Sequence, residues 1–188
     1  LFHDFALVHD DLLDHSDERR GRPTLHKVFT SEHRRHDWLG DSAASGEALA
    51  LLAGDLSFAW ADASLRKAMT PSNAERLFSA WNAMREEVIL GQATDVALAL
   101  ERRLPSKHKL LDMLSVKSGR YSFGRPILLG LALAGRRVTN ERVLSAVEPL
   151  GLAFQLRDDL IGTFGNARET GKPADSDIRE GKMTLLAW

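Results

Sequence analysis

The chain has 188 residues, enough for one domain with a substantial core. Its 25 basic and 26 acidic residues give a formal net charge of −1, which excludes a global attraction to nucleic acid or to an anionic membrane surface. Cysteine is absent, which excludes disulfide bonds and thiolate chemistry and fits a reducing compartment such as the cytoplasm. Charged residues interrupt the apolar stretches well before the roughly 20 residues of a membrane span, so no span is expected.

Helical spacing dominates the sequence, and strand alternation is nearly absent. A first helix extends to about residue 15, and residues 16–45 are predicted mainly as loop because they are charged and contain glycine and proline. Further helices are predicted over residues 46–67, 73–103, 106–119, 121–134 and 139–161, followed by a loop over 162–177 and a last helix from 178. The helix over 46–67 is predicted to be buried. Together these elements predict one all-α domain of long antiparallel helices.

Both ends of the sequence lie inside helical patterns. Residues 1–8 begin without a capping residue, and residues 182–188 stop inside an apolar pattern. We therefore expect the single domain, residues 1–188, to be an interior piece of a longer protein that is incomplete at both ends, or a chain that lacks its disordered parts.

The first predicted helix ends in an aspartate-rich motif that begins at Asp10 and ends at Asp14. These two residues stand at i and i+4, so their carboxylates share one helix face. Carboxylates so close repel each other unless a cation lies between them, and Mg²⁺ prefers such oxygen ligands, with phosphate oxygens completing its shell. Taken alone, however, the motif is more often a solvated acidic helix end.

A second pair, Asp158 and Asp159, stands at the end of another apolar helix. Charge on an otherwise apolar helix is costly without a compensating cation. Two such helix ends in one chain therefore predict one cavity that is lined by both motifs.

Cationic and amide side chains accompany both motifs. Arg19 and Arg20 follow the first motif closely enough to fold back over its end, and arginine forks suit phosphate oxygens. Gln92 and Asp95 share one face of an apolar helix, where they could serve a ligand or a helix–helix hydrogen bond. Three lysines stand near glycines, where the backbone can approach a ligand, although each alone is more often a surface lysine: Lys117, Lys172 and Lys182.

In this order and spacing, the motifs resemble those of the trans-isoprenyl (polyprenyl) diphosphate synthases, most of all the bacterial short-chain geranylgeranyl type. The matching blocks cover nearly the whole chain: residues 9–26, 52–55 (LAGD), 91–95 (GQATD), 117–121 (KSGRY), 154–162 (FQLRDDLIG), 170–173 (TGKP), 176–178 and 180–184. The resemblance implies an all-α, isoprenoid synthase-type bundle of long antiparallel helices around a central cavity, and a homodimer.

The same resemblance implies a magnesium-dependent prenyltransferase. Its substrates would be isopentenyl diphosphate and an allylic diphosphate, its products an all-trans polyprenyl diphosphate and diphosphate. Three Mg²⁺ ions would bind with the diphosphate, held by Asp10, Asp14 and Asp158. The implied catalytic residues are Asp10, Asp14, Lys117, Asp158 and Lys172. The implied substrate-binding residues are Arg19, Arg20, Gln92, Ser118, Phe154, Gln155 and Lys182.

Product length is expected to depend on Phe5 and Ala6, one turn before the first motif. In the family that the motifs resemble, an aromatic residue at the fifth position before the first motif and a small residue at the fourth imply a geranylgeranyl (C20) product. Two aromatic residues would favour C15, and two small residues would permit longer chains. Phe5 could equally be an ordinary core residue.

Two departures from the family pattern bear on function. Gly162 stands where many members have a third aspartate, and the upstream segment that helps to bind isopentenyl diphosphate is not in this chain. A noncatalytic partner subunit of a heteromeric synthase and a farnesyl or longer-chain synthase therefore stay open as alternatives. A class I terpene cyclase is disfavoured because it would lack Arg19, Arg20 and the segment 171–173.

Histidine and tryptophan provide no further site. The spacing of His26, His33 and His36 is irregular and no cysteine accompanies them, so solvated loop histidines are expected instead of a zinc site. The four tryptophans are scattered and are expected in the core or at an interface: Trp38, Trp60, Trp81 and Trp188.

Overall fold

The structure, a computed structural model, describes residues 1–101, 104–165 and 185–187. The helices are α1 (Phe2–Leu13), α2 (Leu25–Arg35), α3 (Ser42–Lys67), α4 (Ala74–Ala99), α5 (Lys107–Leu114), a π-helix (Ser115–Gly124), α6 (Arg125–Leu133) and α7 (Asn140–Phe164), with a short 3₁₀ turn (Leu185–Ala187). A two-stranded ribbon of β1 (Glu18–Arg19) and β2 (Arg22–Pro23) follows α1. The predicted all-α class is confirmed. Among the described residues, 1–67 form one compact unit and the rest form a second; the single domain stays a prediction.

In the first unit, α1 and α2 pack on α3 through small residues. The buried residues of α3 are Gly46, Ala50, Gly54 and Ala61. A Cβ atom added to Gly46 would lie 2.2 Å from Thr30 Oγ1 and 2.5 Å from the His26 carbonyl oxygen. The backbone of α3 can therefore approach α2 closely only because this position has no side chain.

The prediction of a loop over residues 16–45 is wrong, because these residues contain α2, both strands and the start of α3. The buried residues of α2 are His26, Thr30 and His33. Helical spacing is present, but polar side chains carry it, so an apolar period cannot reveal it. The expectation of solvated histidines is likewise wrong for His26 and His33, which are 6% and 5% exposed.

The prediction that α3 is buried is also wrong for its large side chains. Leu49, Leu52, Leu56 and Trp60 are all exposed, while the small residues of the helix are buried. Within the described part of the chain, α3 is the one helix long and apolar enough to cross a membrane by length and composition. Core helices of soluble proteins meet the same criteria, so this observation alone is weak support for a span.

In the second unit, the π-helix packs against α4 and α7. Sequence analysis predicts a break near Gly119, but α5, the π-helix and α6 follow one another without interruption from Lys107 to Leu133. Glycines allow close approach on both sides. A Cβ atom on Gly91 of α4 would lie 2.7 Å from Lys117 Cα, and one on Gly151 of α7 would lie 2.3 Å from Gly119 Cα. The position of the π-helix thus depends on the absence of side chains at these glycines.

The helix caps agree closely with the sequence. Ser106 accepts a hydrogen bond from the Lys109 amide at 3.3 Å, and Thr139 accepts one from the Arg142 amide at 3.4 Å. These contacts satisfy donors that the first turn of a helix leaves unpaired. α7 continues through Gly162 to Phe164, so the predicted loop begins too early there; its remainder, and the helix predicted from 178 to 184, lie outside the described residues.

Candidate active site

The first aspartate motif lies at the C-terminal end of α1, as predicted. Asp10 is in the last turn and Asp14 is the residue at the helix C-cap. The Asp10 side chain is 26% exposed, whereas the neighbouring Asp11 side chain is only 8% exposed. The motif therefore combines one accessible carboxylate with one that is buried in the first unit.

Arg19 binds both of these carboxylates, and we call this arrangement the Arg19 clamp (Asp10, Asp11 and Arg19). Its Nε donates to Asp11 Oδ1 at 2.8 Å, and its Nη2 donates to Asp10 Oδ2 at 3.0 Å. Burial alone would lower the pKa of Arg19, but the charges and hydrogen bonds of Asp11 and Asp10 outweigh it, so this pKa is raised above its ordinary value. Arg19 is therefore a permanent cation at the end of α1.

A tight hairpin positions Arg19. Arg19 pairs with Arg22 across the ribbon, and the two residues between them have positive φ: 55° at Arg20 and 69° at Gly21. Two-residue hairpins favour positive φ at both central positions, a conformation that costs an arginine more than a glycine. Arg20 follows Arg19 in the sequence and is predicted to bind isopentenyl diphosphate. Its side chain is exposed.

The LAGD block packs against the preceding turn of α1. A Cβ atom on Gly54 would lie 2.4 Å from the His9 imidazole, whose Nε2 is 3.2 Å from the Leu51 carbonyl oxygen and 3.6 Å from Asp55 Oδ1. Gly54 thus leaves room for the His9 ring on α3. These contacts fix the helix that carries the aspartate motif.

Phe5 is buried in an aromatic cluster with Phe2 and Phe58. Its ring centroid is 4.9 Å from that of Phe58 on α3, while Ala6 is half-buried. Phe5 therefore contributes to the core of the first unit. The effect of Phe5 and Ala6 on product length stays a prediction.

In the second unit, Lys117 on the π-helix forms an ion pair with Asp95 on α4, with 2.5 Å between Nζ and Oδ2. Gln92, one turn earlier on α4, has its Nε2 buried without a hydrogen-bond partner among the described residues. A buried amide donor without an acceptor is costly, so Gln92 is suited to donate a hydrogen bond to a ligand or to water. Ser118 is half-buried on the same π-helix.

The second aspartate motif divides its carboxylates in the same way as the first. Asp158 is exposed, as a ligand to a metal or phosphate complex would require, while Asp159 is 5% exposed. Gln155 donates from Nε2 to Asp159 Oδ1 at 2.9 Å, so the structure pairs this predicted substrate-binding residue with its own helix. Phe154 is exposed and its ring packs edge to face on that of Phe123.

A second ionic cluster escapes sequence reasoning. The buried Arg125 donates to both Glu87 oxygens, at 2.7 Å and 2.5 Å, and Arg120 donates to the same carboxylate at 3.3 Å. Burial alone would raise the pKa of Glu87, but the hydrogen bonds and charges of Arg125 and Arg120 lower it overall. Arg120 and Arg125 stand 33 and 38 residues after Glu87 in the sequence, so only packing brings the three side chains together. Asp11 belongs to the predicted aspartate motif, but sequence analysis assigns it no role of its own.

The donor set of the first motif fits a magnesium ion that also binds phosphate. Asp10 and Asp14 offer hard oxygen ligands at i and i+4, but no group of three metal-binding side chains exists within the described residues. Mg²⁺ commonly takes one or two carboxylates and completes its shell with water and phosphate oxygens. Lys172 and Lys182, which complete the predicted set, lie outside the described residues.

Comparisons with known proteins identify the family of this chain. The polyprenyl synthetase family model matches residues 1–188. The chain is 33% identical over 187 residues to a short chain isoprenyl diphosphate synthase of Methanocaldococcus jannaschii, covering 99% of this chain and 51% of that protein. It is 36% identical to a (2E,6E)-farnesyl diphosphate synthase of Mycobacterium tuberculosis, covering 100% of this chain and 48% of that protein.

A solved structure extends the likeness to the fold. It is a geranylgeranyl pyrophosphate synthase of Corynebacterium glutamicum complexed with isoprenyl diphosphate and magnesium, and it matches with a TM-score of 0.91 and 38% identity over 98% of this chain and 52% of that one. The chain spans about half the length of the curated relatives it matches. With the whole chain matched by one family model, and with the fold in agreement, this chain belongs to the polyprenyl synthetase family.

Proposed function

We propose that the full-length protein is a magnesium-dependent prenyltransferase. It joins isopentenyl diphosphate to an allylic diphosphate and releases diphosphate, acting in the cytoplasm. The observation that carries the proposal is the aspartate motif at the end of α1 with Arg19 bound to it. A carboxylate pair that can hold a metal, beside a guanidinium that can bind phosphate, is suited to a diphosphate leaving group.

The chain's own residues bind and orient the leaving group. Arg19 and Lys117 present cations to the allylic diphosphate, and Arg20 binds the diphosphate of isopentenyl diphosphate. Bound Mg²⁺, three ions by the family resemblance, would neutralise the charge that develops on the departing diphosphate. The carbon–oxygen bond of the allylic substrate breaks and the diphosphate leaves with the electron pair. The isopentenyl double bond then attacks the allylic carbon, and the diphosphate accepts the proton that is lost.

The allylic cation must be sheltered from water until it is attacked. Gln92 and the Lys117 and Ser118 carbonyls serve this purpose in the proposal. The π-helix that carries Lys117 and Ser118 supports this role, because π-helical segments are often found at functional sites.

The first test is a product assay on full-length protein with labelled isopentenyl diphosphate. The allylic partner is dimethylallyl, geranyl or farnesyl diphosphate, with and without Mg²⁺. We expect magnesium-dependent elongation that Asp14→Asn and Asp158→Asn each reduce at least a hundredfold, on the scale of a lost transition-state charge contact. The matched control is Asp4→Asn, because Asp4 is an exposed carboxylate on the same α1 helix. No condensation by folded protein with any allylic partner would favour the noncatalytic partner subunit instead.

The product of this proposal is geranylgeranyl diphosphate (C20). The relatives are named for different products, so the support comes from Phe5 followed by Ala6. We expect Ala6→Phe to shorten the product to C15 and Phe5→Ala to lengthen it. Phe58→Ala is the matched control because it removes the ring that packs on Phe5. If Phe58→Ala shifts the product as far as Phe5→Ala does, Phe5 acts through packing and does not set the length.

We also propose a homodimer that covers the outer face of α3. Leu52, Leu56 and Trp60 are 61%, 47% and 54% exposed, and an apolar stripe of this kind commonly marks an interaction surface. Light scattering coupled to size exclusion should report a dimer for the full-length protein and a monomer for Leu52→Glu/Leu56→Glu. A dimer that survives both charges would place the interface elsewhere.

A further inference from the structure

We infer that Arg19, anchored by the buried Asp11, competes with the metal for Asp10 and so makes metal binding depend on diphosphate. The inference rests on the proposed function, because it assigns a second role to a residue of the same site. Arg19 is then more than a phosphate ligand: before the substrate arrives, it occupies the carboxylate that the metal needs.

The two ends of the guanidinium face different environments. Nε donates at 2.8 Å to Asp11, whose side chain is 8% exposed, and Nη2 donates at 3.0 Å to Asp10, whose side chain is 26% exposed. Since charge-assisted hydrogen bonds are stronger where water is excluded, the Asp11 contact is the anchor. The Asp10 contact is the end that can exchange.

A cation on Asp10 opposes a bare divalent ion in two ways. It occupies Asp10 Oδ2, and it places a positive charge beside the site. A diphosphate reverses both effects, because phosphate oxygens are better partners for Nη2 and their negative charge attracts the metal. The anchor to Asp11 keeps the guanidinium in place, so only one hydrogen bond of the fork has to change partner.

The two-stranded ribbon holds the backbone of Arg19 in place while its side chain changes one hydrogen-bond partner. Arg19 is paired across the hairpin with Arg22, which fixes its backbone beside the end of α1. Arg22 is exposed and belongs to the same ribbon. It is therefore a matched control, because Arg22→Gln removes the same charge from the partner position.

The experiment titrates full-length protein with Mn²⁺ and follows the free ion by electron paramagnetic resonance, with and without inorganic diphosphate. The Mn²⁺ that diphosphate itself binds is subtracted with the same titration in the absence of protein. We expect diphosphate to tighten Mn²⁺ binding to the unaltered protein. Arg19→Gln should bind Mn²⁺ alone roughly three- to tenfold more tightly, on the scale of one ion pair, and should lose most of the tightening by diphosphate. Arg22→Gln should behave as the unaltered protein does.

Two further variants separate charge from position. Arg19→Lys keeps the charge, so Mn²⁺ alone should bind as weakly as to the unaltered protein. In protein that keeps Arg19, Asp11→Asn should reduce the tightening of Mn²⁺ binding by diphosphate. In the Arg19→Gln variant, the same substitution should change Mn²⁺ binding little. This non-additivity marks Asp11 as a positioning residue for Arg19.

Two results would overturn the inference. The first is that Arg19→Gln binds Mn²⁺ alone no more tightly than the unaltered protein does. A variant whose site is merely damaged would bind Mn²⁺ more weakly both with and without diphosphate, so only tighter binding indicates that a competitor has been removed. If Arg19→Gln does not fold, Arg19→Met takes its place because it also removes the charge. Binding of Mn²⁺ alone that is no tighter to that variant than to the unaltered protein contradicts the competition. The titration needs no turnover, so protein that shows the coupling but condenses no substrates refutes the proposed function and leaves the clamp standing.

Discussion

Gly91 of α4 lies against the backbone of Lys117 on the π-helix, and a Cβ atom at Gly91 would come within 2.7 Å of Lys117 Cα. This contact sets the separation of the two helices at the point where Asp95 binds Lys117. In the GQATD block, Gly91 therefore allows the two helices to approach closely, and Asp95 provides the counter-charge for Lys117.

Gly91→Ala should consequently weaken both stability and catalysis. The new methyl group must displace backbone, so we expect a loss of about 1–3 kcal/mol in the free energy of unfolding, with a lower rate of condensation because Lys117 moves. Urea unfolding and the product assay measure the two effects. Gly130→Ala is the control, because nothing lies within 4 Å of its added Cβ; it should stabilise α6 by up to about 1 kcal/mol. Equal effects of the two substitutions would contradict this explanation.

The contact between Gly119 and Gly151 predicts an asymmetric result. A Cβ atom on Gly151 would lie 2.3 Å from Gly119 Cα, whereas one on Gly119 would lie 3.3 Å from Gly151 Cα. Gly151→Ala should cost about 3 kcal/mol of unfolding free energy. Gly119→Ala should be nearly neutral, since its milder crowding is offset by the helix propensity of alanine. Thermal unfolding of the two variants compares them, and the reverse order would show that the helices are spaced differently.

Glu87 predicts an acid-dependent contribution to stability. Its lowered pKa means that the unfolded chain binds the proton more tightly than the folded protein does. The ion pair with Arg125 and Arg120 is therefore fully stabilising above the ordinary value of 4.5 and is lost as pH falls through the lower folded pKa. Glu87→Gln should cost about 2–3 kcal/mol at neutral pH, because it leaves the buried Arg125 without its counter-charge.

Chemical denaturation at several pH values tests this expectation. The difference in unfolding free energy between the unaltered protein and Glu87→Gln should be constant near neutrality and shrink below about pH 4.5. Glu75→Gln, at an exposed position in the first turn of α4, controls for the loss of a negative charge. A difference that does not change with pH would mean that the pKa of Glu87 is not lowered on folding.

His26 predicts a second pH effect with the same sign. Burial and the nearby Lys27 lower its pKa below the ordinary 6.5, and its Nδ1 lies 3.2 Å from Thr24 Oγ1. Protonation then favours the unfolded chain, so stability is full above pH 6.5 and falls as pH drops toward the lower folded pKa. His26→Gln should reduce the change in unfolding free energy with pH below pH 6.5. His36→Gln, at an exposed histidine, should not alter this pH dependence. Equal curves for all three proteins would refute the prediction.

The ends of helices and the order of motifs could be predicted from the sequence because they rest on local chemistry. Ser106 and Thr139 cap their helices as their hydroxyl groups predict, and the aspartate motif terminates α1. The family resemblance extends these signals to the whole chain.

Tertiary contacts explain what the sequence could not show. α2 was missed because His26, Thr30 and His33 form its buried face, and only packing against Gly46 makes that burial possible. Sequence analysis predicts a break at Gly119 instead of the π-helix, because the change to i→i+5 hydrogen bonding interrupts the apolar period as a helix end would. The partners of Arg19 were likewise hidden, because a basic residue after an acidic helix predicts proximity but not which oxygen it binds.

The inverted arrangement of α3, with glycine and alanine inside and leucine outside, has a consequence for how this helix responds to mutation. Replacing its exposed leucines Leu52 and Leu56 with alanine would change the packing of the unit little, while the inner positions Gly46 and Ala50 have almost no side chain to remove. An alanine scan would therefore not detect the contribution of the inner face of α3 to stability. The tolerance of that face is measured only by adding volume, one methyl group at a time.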